Sequence, residues 1–267
     1  MGKKILFFES LGALIGVAAV AILVFLNLTF LFSPDKYTVP IMMYHHVNDK
    51  EFEAEDVTPE NFRKQMDFLK RHNYNVISLD ELVEKINAHQ RLPKNSVVIA
   101  FDDGNFDNFT EAFPILKEFQ FPAIFFVSPG FFSNQIFMGW KELKDMQAAK
   151  FVSFGSHGMT QAYLPDLPPD KLRYEIFESK RVLEEKLGVK IDYLAYPVGG
   201  FNDEIKVMVK QAGYKAAVTT NRGYDRFDTD LYEINRVRFS NADNRDLILR
   251  AKLSGYYNRF RDLKRPY

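Results

Sequence analysis

The chain has 267 residues, and its Lys+Arg 35 balance its Asp+Glu 35 to a formal net charge of +0. It therefore lacks the clustered basic excess that nucleic-acid binding requires, and we expect no nucleic-acid partner. It contains no cysteine, which excludes disulfides, thiolate metal sites and a cysteine nucleophile. Any transition metal must then be held by imidazole, carboxylate or amide oxygen.

The N-terminal apolar stretch predicts a membrane anchor. Residues 11–32 carry no charge, and roughly 20 apolar residues are enough to cross a bilayer. Lys3 and Lys4 precede it and favour a cytoplasmic N-terminus. A cleaved signal peptide would have a shorter apolar region, with small residues at the cut. We expect cytoplasmic residues 1–10, a single-pass transmembrane signal anchor over 11–32, and a domain over 33–267 on the extracytoplasmic side of the cell membrane.

Strand and helix patterns alternate along the rest of the chain, which predicts a parallel sheet with helices outside it. The predicted strands are 38–47, 75–78, 97–101, 123–128, 151–156, 193–198, 216–220 and 231–239. The predicted helices begin near residues 58, 78, 110, 140, 169, 203 and 244. An open doubly wound sheet fits this alternation too. The polar residues at strand ends favour a barrel that collects them at one face: His45, Asp102, Asp103, His157, Tyr196 and Arg236.

The most informative strand is Val97 to Phe101, which runs directly into Asp102 and Asp103. Two unpaired carboxylates are too costly inside a buried strand, so they belong at its end. Gly104 allows the backbone to turn away there. Adjacent residues point to opposite sides, so the two carboxylates can serve different purposes.

Four separated stretches together resemble the polysaccharide deacetylases, the NodB-homology group or carbohydrate esterase family 4. They are Met43-Tyr44-His45-His46-Val47, Phe101-Asp102-Asp103-Gly104, Gly155-Ser156-His157 and Ala195-Tyr196-Pro197-Val198-Gly199-Gly200-Phe201-Asn202. The resemblance extends from about residue 39 to residue 239. It implies a deformed (β/α) barrel that binds one divalent metal, usually zinc, and hydrolyses N-acetyl groups on amino sugars.

The resemblance also implies roles for individual residues. Asp102 would be the general base and Asp103 a metal ligand, which agrees with the need for a carboxylate beside an activated water. The main-chain N–H of Val198 would hold the developing oxyanion. His45 would be the general acid for the leaving amine, or else a hydrogen-bonded residue at a strand end. His46 is expected to point away.

The metal site departs from the family pattern at one position. His157 matches the imidazole ligand, but Gln161 stands where the family has a second His. An amide oxygen is a poorer ligand for zinc than imidazole. Three readings remain open: a metal held by Asp103, His157 and Gln161; recruitment of His45 or His46 as the third ligand; or a degraded, non-catalytic site.

A second departure is Ala195, where many members have an arginine that orients the catalytic Asp. Arg236 or Arg238 could supply that guanidinium, because arginine pairs well with carboxylates; a surface ion pair is the alternative. We also expect substrate contacts from Tyr196, Pro197 and Gly199 of the Tyr-Pro-Val-Gly stretch and from Tyr163. Tyr163 and Trp140 are candidate aromatic platforms for sugar; core packing fits Tyr163 equally well and fits Trp140 better.

The sequence thus predicts a membrane-tethered deacetylase of N-acetylglucosamine units in an envelope or exported polysaccharide. Its partners would be an N-acetylated polysaccharide or oligosaccharide and, through the N-terminal helix, the membrane. A catalytically silent carbohydrate-binding module and an O-acetyl esterase are the alternatives. The basic, aromatic residues 256–265 could lie against anionic lipid or form a solvated tail.

Overall fold

The structure is a computed structural model that describes residues 16, 18, 20–22, 39–49, 54–221, 229–255 and 257. The chain divides into two units, Met1–Lys36 and Tyr37–Tyr267. In the first unit the described residues are helical and exposed. Across the described ranges no helix is long and apolar enough to cross a membrane. The anchor predicted over 11–32 lies largely outside these ranges, as do residues 1–10 and most of 256–265, so what the sequence indicates for these segments stays a prediction.

The second unit is built on a parallel sheet, as the alternating pattern predicts. Its strands are β1 (Ile41–Tyr44), β2 (Asn75–Val76), β3 (Ser96–Phe101), β4 (Ala123–Val127), β5 (Val152–Ser156), β6 (Tyr193–Ala195), β7 (Ala216–Val218) and β8 (Val237–Arg238). The order is β7-β6-β5-β4-β3-β1-β8, and β2 pairs with β3. Each described strand pair is parallel.

One late segment connects the two ends of this sheet. At its start, Ile234 forms an isolated bridge with Val218 of β7. Three residues later the same segment becomes β8, which pairs with β1. The strand predicted over 231–239 is thus reduced to two regular residues, because the segment changes its partner midway. These contacts curl the sheet into the barrel-like form that the sequence predicts.

Helices pack against both faces of the sheet. They are α1 (Pro59–Arg71), α2 (Leu79–Asn87), α3 (Phe113–Phe119), α4 (Trp140–Gln147), α5 (Pro169–Arg173), α6 (Ser179–Leu187), α7 (Asp203–Gln211) and α8 (Asp246–Leu253). Thr58 and Ser78 cap the first two helices by accepting hydrogen bonds from main-chain N–H groups three residues on. Two predicted helices contain π-helical turns: Asn108–Ala112 precedes α3, and Tyr174–Glu178 separates α5 from α6.

Alternate residues of the strands enter two separate apolar clusters. Met42, Ile99 and Phe125 belong to the cluster that also contains the buried apolar side chains of the helices other than α2. Ile41, Val98 and Ile124 belong to a second cluster, which contains the buried side chains of α2. Because successive strand residues face opposite sides, both faces of the sheet are buried and only its edges and strand ends remain for chemistry.

Candidate active site

The carboxyl ends of β1, β3 and β5 bring the predicted site residues together. His45 follows β1, Asp102 and Asp103 follow β3, and His157 follows β5. Parallel strands place their carboxyl ends at one rim, which is where barrel enzymes carry their active sites. Gly104 has φ 74°, and a Cβ there would come 2.9 Å from Val127, so the turn after the carboxylates requires glycine.

Asp102 and Arg236 form a buried bidentate ion pair. The Nη1 and Nη2 atoms of Arg236 donate to Oδ1 and Oδ2 of Asp102, each at 2.7 Å. Nε of Arg236 donates to the carbonyl of Thr219 at 2.9 Å, which fixes the guanidinium plane. Burial raises the pKa of Asp102, but the charge and hydrogen bonds of Arg236 and the charges of His157 and His45 together outweigh it, and the pKa falls to about 2. Asp102 is therefore ionised at neutral pH.

Arg238, the other guanidinium considered, is half-exposed and pairs with Glu55 instead. Of the two arginines, Arg236 alone contacts the carboxylate pair. Asp102 and Asp103 face different partners, as their adjacency in the strand predicts.

Asp103 and His157 approach each other across the rim. Oδ1 of Asp103 lies 3.4 Å from Nε2 of His157. Nδ1 of His157 is 2.8 Å from the carbonyl oxygen of Ala195; a carbonyl only accepts, so Nδ1 carries a hydrogen and donates it. In the neutral ring the lone pair of Nε2 therefore faces a carboxylate oxygen. Two acceptors at this separation need a cation or a proton between them.

Without a metal, a proton satisfies this pair. Burial lowers the pKa of His157, but the hydrogen bond and charge of Asp103 and the charge of Asp102 raise it overall. Burial raises the pKa of Asp103, and the hydrogen bond and charge of His157 lower it overall. A divalent cation would compete with that proton for the same two atoms.

Gln161 supplies the neighbouring amide. Its Nε2 donates to the main-chain carbonyl of Asp103 at 3.3 Å, and its own φ is 57°. In the described part of the chain, no group of three or more His, Cys, Asp or Glu side chains is placed to hold a metal. The donors that could share a cation are thus Asp103 and His157, and the Gln161 side chain, which contacts the Asp103 main chain, could supply an amide oxygen as a third.

His45 faces the same carboxylates. Its charge contributes to lowering the pKa values of both Asp102 and Asp103. Nδ1 is buried without a hydrogen-bond partner among the residues that the structure describes, and it lies 3.5 Å from Oε2 of Glu55. An imidazole at the rim with one nitrogen near a carboxylate has the arrangement of a general acid.

His46 turns to the other side, as expected. Its Nδ1 lies 2.6 Å from Oδ2 of Asp107, and this hydrogen bond raises the pKa of His46, although burial opposes the shift. Both residues line a cavity of about 500 Å³. Its wall also carries Asp49, Asp56 and Glu111 and the apolar residues Phe106 and Ile136.

The Tyr196 side chain corrects one prediction. Its ring is fully buried and stacks on Phe201 with centroids 4.8 Å apart. Its hydroxyl donates to the carbonyl of Tyr232 at 3.0 Å. The ring therefore cannot present a surface to substrate, because its apolar faces and its polar end are all in use inside the protein. Pro197 and Gly199 are buried as well, so substrate contacts from these three residues are left to their main chain.

Val198 differs from these neighbours. Its side chain is 70% exposed and its φ is 57°, an uncommon backbone conformation for a β-branched residue. The turn thus holds the main chain of Val198 at the rim after β6, where the oxyanion role is predicted.

The two aromatic platforms have different environments. The half-buried Tyr163 ring packs on the backbone of Gly200, where an added Cβ would come within 2.5 Å of it. Trp140 packs edge-on against Phe132, with the ring centroids 4.7 Å apart, and it packs against the hydrophobic core. The core-packing alternative therefore fits Trp140, while Tyr163 remains a candidate for substrate contact.

Sequence reasoning missed two carboxylates that organise the rim. Asp107 accepts hydrogen bonds from the main chain of Val47 and from the side chain of Asn108. Glu175 accepts three hydrogen bonds from the segment that follows His157. The sequence did contain one indication for Glu175: it is a charged residue among the apolar positions of the helix predicted to begin near residue 169.

The chain is similar to known polysaccharide deacetylases. A family model described as polysaccharide deacetylase matches residues 89–217. The chain is 29% identical over 206 residues to the poly-beta-1,6-N-acetyl-D-glucosamine N-deacetylase of Staphylococcus epidermidis, covering 72% of this chain and 71% of that protein. The solved structure of Streptococcus pyogenes deacetylase PplD in complex with acetate superposes with a TM-score of 0.77 at 26% identity, covering 82% of this chain and 99% of that one.

A third likeness concerns the fold alone. The structure of IcaB from Ammonifex degensii gives a TM-score of 0.71 at 23% identity, over 81% of this chain and 97% of that one. The family model, the named relatives and the PplD structure agree with one another. Residues 89–217 form a polysaccharide deacetylase domain, and these likenesses support a deacetylase hydrolase of the NodB type.

Proposed function

We propose that this chain is a metal-dependent deacetylase that removes N-acetyl groups from N-acetylglucosamine units of an envelope or exported polysaccharide. The observation that carries the proposal is the 3.4 Å approach of Asp103 Oδ1 and His157 Nε2 beside the ionised carboxylate of Asp102. The named activity of the Staphylococcus epidermidis relative supports the substrate class.

Asp103 and His157 would hold the cation, with the amide oxygen of Gln161 as third protein donor. A divalent cation supplies Lewis acidity, lowering the pKa of water and polarising the acetyl carbonyl. Zinc fits imidazole and carboxylate donors, whereas the amide oxygen of Gln161 suits harder cations.

Asp102 takes the proton of the attacking water. Arg236 holds both carboxylate oxygens at 2.7 Å, which fixes the carboxylate plane and leaves further lone pairs to accept the proton. With its pKa at about 2, Asp102 is always available as a base but a weak one. It can therefore take the proton only from a water molecule whose pKa has been lowered.

His45 and Val198 complete the proposed reaction. His45 donates a proton to the leaving amine. The main-chain N–H of Val198 stabilises the negative charge that develops on the acetyl oxygen. The products are acetate and a sugar that carries a free amine.

The experiment measures acetate release from an oligomer of N-acetylglucosamine. We expect Asp102→Asn to lower the rate by about 10²–10⁴-fold, with bound metal unchanged. Asp145→Asn is the matched control, because Asp145 is half-exposed and pairs with Lys141 at 3.0 Å on a helix surface. An Asp102→Asn variant with full activity would refute the proposed base.

Gln161 favours a second candidate, a silent carbohydrate-binding module. Stoichiometric metal with turnover supports the hydrolase, whereas sugar binding without metal or turnover supports the module. Comparing N- and O-acetylated substrates separates the amidase from an O-acetyl esterase.

The proposed location outside the cell membrane rests on the uncharged stretch 11–32 and on Lys3 and Lys4. Protease added to intact cells should digest the domain of the full-length protein, which should also resist alkaline extraction from membranes. Protection from protease, or release at high pH, would contradict the anchor.

A further inference from the structure

Glu175 is a buried carboxylate that binds the segment between two proposed metal ligands. Its side chain is almost fully buried. Oε2 accepts hydrogen bonds from the main-chain N–H groups of Met159 and Thr160 at 2.7 and 2.9 Å. Oε1 accepts from the hydroxyl of Thr160 at 2.6 Å. These donors lie after His157 and before Gln161.

The segment is folded around this carboxylate. Gly158 has φ 77° and Gln161 has φ 57°, so left-handed residues stand on both sides of the two bonded amides. A Cβ on Gly158 would come 2.8 Å from Oε2 of Glu175. The close approach of carboxylate and backbone therefore depends on glycine at that position.

The other end of Glu175 is anchored as well. It lies in the π-helical turn Tyr174–Glu178 between α5 and α6, and such turns occur frequently at functional sites. Ser179 Oγ lies within hydrogen-bonding distance of the Glu175 carbonyl, at 2.5 Å, and of Ser156 Oγ, at 2.8 Å. Ser156 Oγ in turn accepts from the N–H of Gly158 at 3.1 Å. Ser179 and Ser156 thus link the π-helical turn that carries Glu175 to the segment after β5, in addition to the hydrogen bonds of the Glu175 carboxylate.

We infer that Glu175 is a positioning residue that fixes the spacing of His157 and Gln161 for a shared cation. This inference rests on the proposed function, since it assigns a purpose to the geometry of the proposed metal site. Hydrogen bonds to an ionised carboxylate are short and strong, and groups that orient metal ligands typically change metal affinity by about 10–100-fold.

A glutamine cannot replace this carboxylate. All three partners are donors, and a glutamine offers one acceptor oxygen while its NH₂ group would face a donor. Glu175→Gln therefore preserves the shape of the side chain but breaks part of the network. Glu178→Gln is the matched control, because Glu178 lies in the same turn, is 43% exposed and pairs with Arg181. Thr160→Val removes only the hydroxyl contact.

The first readout is the affinity for zinc, measured by competition with a chromogenic chelator. We expect Glu175→Gln to raise the zinc dissociation constant by about 10–100-fold, Thr160→Val to raise it less, and Glu178→Gln to leave it unchanged. Equal affinities for wild type and Glu175→Gln would overturn the inference.

The second readout is amide hydrogen exchange in the metal-free proteins. The N–H groups of Met159 and Thr160 should exchange slowly in wild type and much faster in Glu175→Gln, with the core strands equally protected in both. If wild type binds no zinc but this loss of protection occurs, the proposed metal function fails while the positioning contact stands. If protection is unchanged, the inference fails whatever the metal does. Should Glu175→Gln not fold, Thr160→Val decides by the same two measurements, and unchanged values there refute the inference.

Discussion

Arg236 places both terminal nitrogens of its guanidinium on the two carboxylate oxygens of Asp102, a residue 134 positions earlier in the chain. The pair joins the segment that closes the sheet to the carboxyl end of β3. The family position filled in many members by an arginine is Ala195 here, and its side chain is buried. The guanidinium therefore reaches the carboxylate from a different strand.

Replacing Arg236 should destabilise the fold strongly. Arg236→Met leaves Asp102 buried without its counter-charge, and breaking such a pair typically costs about 3–5 kcal/mol. We expect a lower free energy of unfolding in urea titrations. Arg238→Met is the control, since the half-exposed pair of Arg238 with Glu55 should be worth less than about 1 kcal/mol. If both variants lost a similar free energy of unfolding, the buried ion pair would contribute no more to stability than the half-exposed one, and the prediction would be wrong.

Replacing Gln161 by histidine should strengthen zinc binding. Imidazole is the better zinc ligand, and histidine is among the residues that tolerate a positive φ. We expect the zinc dissociation constant of Gln161→His to fall by about tenfold or more, as measured by chelator competition. Gln90→His, at an exposed position, should leave it unchanged. If Gln161→His binds metal and releases acetate while wild type does neither, the natural site is impaired, and this result supports the carbohydrate-binding module.

Removing the metal should lower thermal stability. A ligand that binds only the folded state stabilises it in proportion to the logarithm of its concentration over its dissociation constant. We expect chelation to lower the Tm of wild type and added zinc to restore it. The zinc-dependent shift should disappear in His157→Ala. Its persistence there would show that zinc binds elsewhere.

The His46–Asp107 contact should make stability depend on pH. Hydrogen bonding to Asp107 raises the folded-state pKa of His46 against the opposing effect of burial, with smaller contributions from the charges of Asp107, Asp56 and Asp103. The unfolded chain has the lower pKa, so the stabilisation is complete below that value and is lost as pH rises through the folded-state pKa.

A double-mutant cycle tests this directly. His46→Gln, Asp107→Asn and the double variant, unfolded in urea between about pH 5 and pH 8, should give a coupling energy that is largest at low pH. A coupling that grows with pH would contradict the assignment. Activity assays are not needed for this test.

Much of the site could be predicted from the sequence because its signals are local. The apolar run into Asp102 and Asp103 predicted a strand that ends in chemistry, and Asp103 and His157 do meet at 3.4 Å. Thr58 and Ser78 predicted helix starts for the same reason, since a cap is decided within one turn. The parallel α/β arrangement followed from the alternation of strands and helices.

Contacts between residues that are far apart in the sequence could not be predicted from such local patterns. The sequence left both Arg236 and Arg238 as candidates beside the alternative of a surface ion pair, and only the closure of the sheet buries one guanidinium and exposes the other. It counted Tyr196 among substrate contacts, although packing turns the ring into the core. It gave no role to Glu175, because a carboxylate on a helix is ordinary until the segment after His157 folds over it. Local patterns record which residues end a strand or cap a helix, whereas the partner of a buried charge depends on which surfaces the whole chain brings together.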